Sequence, residues 1–396
     1  MDFGKLKEKS SEEIKEYLLN SVMKTEKEIE REEVEKKSES DLKIFLIKSL
    51  GLHPNDLPNS IDELLESEDI GYNFEEFLKE HKFIVTEINE KTYGLKIHTP
   101  EYKKEDDFII FIEDNYWHVW TLARRYWTRK TLEKLVDNHP LLERSFINPE
   151  ELEELTSKNL REEMEEQSHF SGFVAKYKPF YSEKQVSINM YGGTYEDLKT
   201  VKNEFQAEPT QITISMKNSP VNCVLGNLHG NEGFISLSTI LEGYYDWGKK
   251  IADVASNLFE ESDKKSFEMD ESPVEIEEEK NGLHHLRYKS FYAFTLEPQL
   301  DYNKDEIDKL FEKTLEWLLE KRRGFYGYRW DEDSYHLLKK ESMDFFQLSK
   351  QKDELVLYPL EGCSEKTVKS VCKDISENVF SDLTVKNYSS EPAAGA

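Results

Sequence analysis

Cysteine is scarce in this sequence. The three cysteines, Cys223, Cys363 and Cys372, cannot all pair within one chain, and no cysteine cluster has the spacing of a metal site. Long apolar runs are also missing, since no segment approaches the roughly 18 apolar residues that a membrane span needs. Residues 1–5 lack the apolar core of a signal peptide. The sequence therefore predicts a soluble, cytoplasmic protein that does not contact membranes.

Positive charge is in short supply as well. Lysine and arginine number 53 against 81 aspartates and glutamates, which gives 396 residues a formal net charge of −28. This charge repels nucleic acid over most of the surface, so any such contact is expected to be local. The acidity indicates either adaptation to salt or a surface made for a basic partner. An aromatic content of 12% predicts folded cores beneath these charges.

One stretch departs from this acidic background. Residues 116–130 contain three tryptophans and four cations but no carboxylate. The near-helical spacing of Trp117, Trp120 and Trp127 predicts a buried helical stripe. The alternative is a nucleic-acid or partner contact, in which rings stack on bases and cations neutralise phosphates. The candidate contact residues are Arg124, Arg125, Arg129 and Lys130.

The N-terminus has the pattern of a long polar helix. Residues 1–37 predict a helical arm, in which Ser10 and Glu13 have the spacing of a capping box. The apolar stripe of this arm becomes sparse after Met23. The arm is therefore expected either to lie in solvent or to pair with another copy of the chain, which makes self-association through this helix one expected contact.

The next segment, residues 38–165, predicts a mostly helical domain with β-hairpins and a tryptophan-rich core. Within it, residues 39–98 show three short helical patterns, the first at residues 42–50, followed by a hairpin pattern at residues 83–98. This order resembles a winged helix. The third of these helices, residues 72–80, is acidic where DNA phosphates would lie, which argues against DNA and favours a protein partner.

The C-terminal half changes to strand periodicity. Residues 169–258 predict an α+β module, residues 259–282 an acidic linker or loop, and residues 283–390 a ferredoxin-like module of βαββαβ order. The predicted fold class is therefore α+β. It combines a helical N-terminal half carrying a winged-helix-like hairpin with a C-terminal half of one or two ferredoxin-like βαββαβ modules.

The sharpest local motif is the run GNLHGNEG at residues 226–233. His229 and Glu232 lie in a turn after a predicted strand, where both can face one metal ion. The His-Gly-Asn-Glu element resembles that of the zinc carboxypeptidase and aspartoacylase group. The resemblance implies a zinc hydrolase with His229 and Glu232 as zinc ligands. The third zinc ligand of that group, a histidine, is missing from its usual Asp-Leu-His setting, and the alternative is a glycine-rich hairpin loop. The later histidines are His284, His285 and His336.

A further candidate catalytic residue is Cys363, which precedes Ser364 at a predicted helix start, where the positive helix end can lower a thiol pKa. No paired-carboxylate, serine-nucleophile or phosphate-loop motif rises above the acidic background. The sequence therefore favours a binding, regulatory or scaffold protein that acts through protein–protein contacts, without catalysis and without a cofactor. The alternatives are a nucleic-acid-binding protein that uses residues 116–130 and a zinc hydrolase.

Overall fold

The structure is a computed structural model, and it describes most of the chain. The described residues are 1–24, 28, 41–49, 51–57, 77–139, 141–145, 147, 152–153, 168–177, 186–205, 207–216, 224–230, 233–238, 240–241, 245–267, 274–276, 288–290, 294–298, 303–320, 324–340, 344–351, 354–360, 363–380 and 383–387.

Helices and strands are both present, and strands dominate the described residues. The helices are α1 (Ser11–Asn20), α2 (Arg125–Lys130), α3 (Leu132–Asn138), α4 (Tyr195–Phe205), α5 (Tyr245–Phe267), α6 (Lys304–Leu318) and α7 (Glu365–Asn378). The strands are β1 (Met23–Lys24), β2 (Leu42–Ser49), β3 (Lys82–Asn89), β4 (Thr92–Thr99), β5 (Lys104–Glu113), β6 (Tyr116–Thr121), β7 (Leu142–Arg144), β8 (Ser168–Tyr177), β9 (Val186–Tyr191), β10 (Glu208–Met216), β11 (Val224–His229), β12 (Phe234–Leu237), β13 (Ile240–Leu241), β14 (Val274–Ile276), β15 (Tyr288–Ser290), β16 (Phe294–Pro298), β17 (Phe325–Arg329), β18 (Ser334–Lys339), β19 (Phe345–Gln351), β20 (Glu354–Pro359) and β21 (Leu383–Asn387). The combination of helices with mainly antiparallel sheets is α+β.

An 11-stranded antiparallel sheet organises the first two thirds of the chain. Its order is β3-β4-β5-β6-β2-β12-β11-β10-β8-β9, and β7 also pairs with β2. The predicted helical N-terminal half is therefore wrong. The winged-helix-like order is wrong as well, because the segment predicted as its first helix is β2, the strand that joins the two halves of this sheet.

The reason for this error lies in how β2 is buried. Ile44 and Leu46 point into the core on one face of the sheet, while Phe45 and Ile47 point into the core on the other face. A strand buried on both faces is a continuous apolar run, and such a run has no period of two to separate it from a helix. Its β-branched residues, Ile44 and Ile47, are the local signal that favours a strand.

Helices cover both faces of the large sheet. Helices α1, α4 and α5 contribute buried residues to one core, and α3 contributes Leu132, Leu135 and Val136 to the other. Helix α1 starts with the predicted capping box, in which Ser10 and Glu13 accept each other's backbone N–H groups. Its apolar side is buried in the protein's own core. Residues 11–20 of the predicted arm are thus a docked helix, and residues 25–27 and 29–37 lie outside the described residues.

A second sheet lies in the C-terminal part, with six antiparallel strands in the order β17-β18-β19-β20-β16-β21. Helices α6 and α7 share one core with this sheet. The predicted ferredoxin-like βαββαβ modules are wrong, because this sheet has six strands and because β8–β12, in the other proposed module, belong to the large sheet. The sequence pattern did not reveal strands β17 and β19. Gly327 interrupts β17, and two buried polar side chains, Gln347 and Ser349, interrupt the apolar pattern of β19.

The predicted boundaries at residues 37, 165, 258 and 282 stay predictions. Strands from both sides of residue 165 join in one sheet, since β2 pairs with β12. The first part of the predicted acidic linker, residues 259–267, continues helix α5, and residues 274–276 form β14, which pairs with β15. The segments 268–273 and 277–282 lie outside the described residues.

Helix α7 joins the C-terminal part to the large sheet through buried charges. The Lys369 ammonium lies 3.0 Å from the Glu143 carboxylate, and both side chains are buried. Lys366 donates hydrogen bonds to the carbonyl oxygens of Val136, at 2.7 Å, and His139, where helix α3 ends. The end of a helix presents unpaired carbonyl groups with partial negative charge, so a lysine is well placed there. Burial lowers the pKa of Lys366 to about 8.

Candidate functional site

The stretch at residues 116–130 divides into a buried strand and a surface helix. All six residues of β6 are buried, and Trp117 and Trp120 point into the two opposite cores of the large sheet. These two tryptophans are therefore core residues, although they lie on a strand and not on the predicted helical stripe. Residues 125–130 form helix α2 at the surface, where Trp127 is half-buried.

Arg125 is the most enclosed of the four candidate contact residues. Its guanidinium forms a two-point ion pair with the buried carboxylate of Glu133. It also lies over the ring of Phe234, with its central carbon 4.6 Å from the ring centroid. Arg144 contacts the same carboxylate at 2.8 Å. A planar guanidinium held in this way is a packing element, so Arg125 has little freedom to meet a partner.

Of the other three candidates, Lys130 contacts exposed aromatic rings, and Arg124 and Arg129 are exposed on the same short segment. Tyr102, Tyr126, Trp127 and Lys130 form what we call the aromatic surface cluster. Tyr102 is 44% exposed and Tyr126 is 58% exposed. Each of the two tyrosine rings makes an edge contact with Trp127, with ring centroids 5.4 and 5.0 Å apart.

The Lys130 ammonium completes the aromatic surface cluster. It lies 4.4 Å from the ring centroid of Tyr102 and 4.7 Å from that of Tyr126, both within cation–π range. Its hydrogen bonds to Tyr126 and Tyr102 raise the pKa of this ammonium. The sequence pattern already included Tyr126, Trp127 and Lys130. Tyr102 comes from the turn after β4, and no local signal connects it with the tryptophan stretch.

His229 ends strand β11, but its surroundings are those of a packed turn. The imidazole stacks on Phe234 with centroids 4.1 Å apart, and its Nε2 lies 3.4 Å from the Ser236 hydroxyl. Gly233 has a φ of +66°, and a Cβ there would overlap the carbonyl oxygen of Ser145. This requirement for glycine explains part of the motif without a metal ion. Glu232 lies outside the described residues, so the His229 and Glu232 zinc site stays a prediction.

His336, the one later histidine that the structure describes, does not approach His229. His336 lies on β18 in the other sheet, where it contacts Tyr328 and Gln347. His284 and His285 lie outside the described residues. Among the residues that the structure describes, His229 belongs to no group of three potential metal ligands.

Cys363 lies just before helix α7, as predicted, but its thiol is not activated. Burial and then the nearby Asp344 carboxylate raise the pKa of Cys363 to about 12. Asp344 accepts hydrogen bonds from the backbone N–H and the hydroxyl of Ser364, at 3.0 and 2.8 Å. The carboxylate thus opposes the positive end of the helix. A thiol with this pKa is protonated at neutral pH, which argues against a nucleophilic role.

A different set of potential metal ligands lies on the face of β6 that helices α1 and α5 cover. Glu113 ends β5, His118 lies in β6, and Glu260 projects from helix α5. We call these three residues the Glu113 cluster. The His118 Nε2 atom is 2.9 Å from the Glu260 Oε1 atom and 3.8 Å from the Glu113 Oε2 atom. All three potential ligand atoms lie within 4.8 Å of one another.

The hairpin between β5 and β6 explains why two of these side chains meet. Glu113 pairs with Tyr116 and Phe111 pairs with His118, so all four side chains share one face of the sheet. A positive φ of 51° at Asp114 allows the tight turn that connects the strands. No local signal in the sequence indicates this cluster, because Glu260 is 142 positions from His118.

Lysines and further carboxylates surround the Glu113 cluster. Lys15 of helix α1 donates to the Glu113 Oε1 atom at 3.3 Å. Glu12 of the same helix pairs with Lys15 and with Lys249 of helix α5. Asp253 lies on helix α5, and burial raises the pKa of its carboxyl group. It interacts electrostatically with Lys15, Lys249, Glu12 and Glu113. The result is a charged layer between α1, α5 and the sheet.

Comparison with known proteins assigns no family to this chain. No protein-family model matches the sequence, and no significant match to a curated protein is found. Across the residues that the structure describes, every helix is too short or too polar to cross a bilayer. The cytoplasmic location stays a prediction.

Proposed function

We propose that the protein acts by binding another protein, and that the aromatic surface cluster with Arg124 and Arg129 forms part of the contact surface. The observation that carries this proposal is the exposure of Tyr102 and Tyr126. Tyrosine, tryptophan and arginine are the residues that contribute most binding energy at the centres of protein interfaces. Here they occur together on one short helix and the adjacent turn.

The packing within the cluster also supports a binding surface. The edge contacts with Trp127 and the cation–π contacts with Lys130 hold both tyrosine rings in place before any partner arrives. Preorganised side chains lose little conformational entropy on binding. The exposed Arg124 and Arg129 lie on the same short segment and favour a partner that presents carboxylates around an apolar centre.

Self-association through the N-terminal helix has less support. The apolar residues of helix α1, Ile14, Leu18 and Leu19, are buried against the protein's own sheet. A helix face used within the chain cannot also pair with a second copy without leaving its core.

Single-stranded nucleic acid is the second candidate partner for the same surface. Tyr126 is exposed enough to stack on a base, and Arg124 and Arg129 are exposed beside it. Two observations favour protein instead. The net charge of −28 repels phosphates over most of the surface, and the Lys130 ammonium is already engaged by two rings.

The test compares the full chain with a double variant, Tyr126→Ser and Arg129→Ser, and with a control variant, Tyr17→Ser, which removes an exposed tyrosine from helix α1. We expect a protein partner to be captured from extract by the parent chain and the control, and to be lost with the double variant. Direct titration of that purified partner then measures the loss of affinity. Equal affinity of all three chains for the partner would refute the proposed surface.

Nucleic acid is tested in parallel with a labelled single-stranded oligonucleotide at increasing salt. Binding that weakens steeply with salt and disappears in the double variant would replace the protein partner by nucleic acid. The control variant should bind the oligonucleotide as the parent chain does under that outcome.

A further inference from the structure

We propose that Glu113, His118 and Glu260 bind one divalent ion of a first-row transition metal. This site lies on the face of the large sheet that α1 and α5 cover. It is independent of the surface proposed for partner binding, and it is also distinct from the predicted zinc site at His229 and Glu232.

The distances within the cluster fit a common ion. Ligand atoms that each lie about 2.1 Å from one metal ion are at most about 4.2 Å apart. The three potential ligand atoms here are within 4.8 Å of one another, and the His118 Nε2 atom is 2.9 and 3.8 Å from the two carboxylates. Small rotations of the glutamate side chains therefore bring all three onto one ion.

The charge of the surrounding layer also favours a cation. Among the described residues of this layer, the carboxyl groups of Glu12, Glu113, Asp253 and Glu260 outnumber the ammonium groups of Lys15 and Lys249. A divalent ion adds positive charge to this acidic layer.

Burial is graded across the three ligands. The side chain of His118 is 5% exposed, that of Glu260 is 18% exposed, and that of Glu113 is 49% exposed. The imidazole thus forms the floor of the site, while the Glu113 side faces solvent. An ion can enter from that side, and water molecules can complete its coordination.

One neighbouring side chain already orients a ligand. Lys15 donates to the Glu113 Oε1 atom at 3.3 Å, and the Oε2 atom of the same carboxylate is the one directed to His118. Hydrogen bonds of this kind to a ligating carboxylate are a general feature of metal sites, because they set the direction of the ligand's lone pairs.

The ligand types select the class of metal. Calcium and magnesium prefer oxygen atoms throughout, whereas an imidazole combined with two carboxylates suits zinc, manganese and related ions. The ion takes the position of the proton between His118 Nε2 and Glu260, and that proton is released to water. The metal-bound imidazole then carries its single proton on Nδ1.

The alternative is that His118 and Glu260 form an ion pair without a metal ion. His118 then donates a hydrogen bond to Glu260, and the pair serves only to hold helix α5 against the sheet. The two readings differ in a measurable way, because an ion pair without a metal predicts no stoichiometric uptake of any divalent ion.

The experiment titrates the full chain with Mn²⁺ and separately with Zn²⁺, after treatment with a chelator. Calorimetry measures affinity, and the EPR signal of free Mn²⁺ measures stoichiometry. We expect one ion per chain, and we expect Ca²⁺ to compete poorly. Glu113→Gln and Glu260→Gln each remove one ligand while preserving shape, and each should lower affinity by about 100-fold or more, beyond the loss typical of outer contacts.

Matched controls keep the outcome clear. Glu261→Gln changes the neighbouring exposed residue of helix α5 by the same charge and should bind as the parent chain does. His229→Gln should also leave the affinity unchanged. His118→Gln should abolish binding. If the His118→Gln variant does not fold, Glu113→Gln and Glu260→Gln test the proposal without it.

Either of two results would overturn the proposal. The first is the absence of a stoichiometric ion in the parent chain with both metals. The second is an affinity that Glu113→Gln and Glu260→Gln leave unchanged.

Discussion

A buried histidine is expected to make the protein sensitive to acid. His139 follows helix α3 and is fully buried, and its Nδ1 atom accepts a hydrogen bond from the backbone N–H of Leu141 at 3.2 Å. Burial, and then the nearby Lys366 ammonium, lower the pKa of this imidazole to about 3. The folded protein therefore holds His139 neutral at pH values where the unfolded chain protonates it.

The sign and the size of the effect follow from this difference. Below the ordinary histidine pKa of about 6.5, the unfolded state binds a proton at His139 and the folded state does not. The free energy of unfolding therefore decreases as pH falls. The contribution of His139 is fully present above about pH 6.5 and is lost progressively down to about pH 3. At about pH 5 the loss amounts to about 2 kcal/mol.

The perturbation is His139→Asn, since an asparagine oxygen can accept the same hydrogen bond from Leu141 without titrating. Urea denaturation at about pH 7 and about pH 5 gives the free energy of unfolding for both chains. Between about pH 7 and about pH 5, the free energy of unfolding should fall by about 2 kcal/mol more for the parent chain than for the variant. The titration of the carboxylates affects both chains equally and cancels in this comparison. Equal losses would refute the buried, neutral imidazole.

Three further predictions concern packing, backbone conformation and charge. Trp120→Ala should lower the free energy of unfolding by about 3 to 5 kcal/mol, because it leaves a cavity in the core under helices α1 and α5; a change under about 1 kcal/mol in urea denaturation would place the ring elsewhere. Gly233→Ala should lower the melting temperature, because the left-handed φ of +66° and the nearby Ser145 carbonyl oxygen both oppose a Cβ; an unchanged melting temperature would contradict that geometry. Stability should rise from about pH 8 to about pH 10.5, since the unfolded chain keeps the Lys366 proton that the folded chain has lost; Lys366→Met should remove this rise in a denaturation series.

Local signals in the sequence identified several elements correctly. The capping box at Ser10 is confirmed, because it depends only on side chains within the first turn of its own helix. The hairpin predicted over residues 83–98 is confirmed as β3 and β4. Such elements are determined by neighbours in sequence, so periodicity and capping suffice to find them.

The parts that failed depend on contacts between distant residues. The apolar periodicity of residues 42–49 does not separate a helix from a doubly buried strand, and the weak preference of Ile44 and Ile47 for a strand is confirmed only by pairing with β6 and β12. The Glu113 cluster required the approach of Glu260 from helix α5, and the aromatic surface cluster required Tyr102 from a separate turn. A single sequence carries no local trace of these approaches.

The position of β2 has a consequence for synthesis of the chain. One edge of β2 pairs with β6, and part of its other edge pairs with β12. In the second pairing, Leu237 lies opposite Leu42. During translation the N-terminal strands can form a meander long before residue 237 has left the ribosome. The unpaired edge of β2 is apolar on both faces, and an open edge of this kind invites pairing with other chains. We therefore expect a chain that ends near residue 230 to aggregate, and chaperones that shield β-edges to contact the nascent protein until β12 emerges.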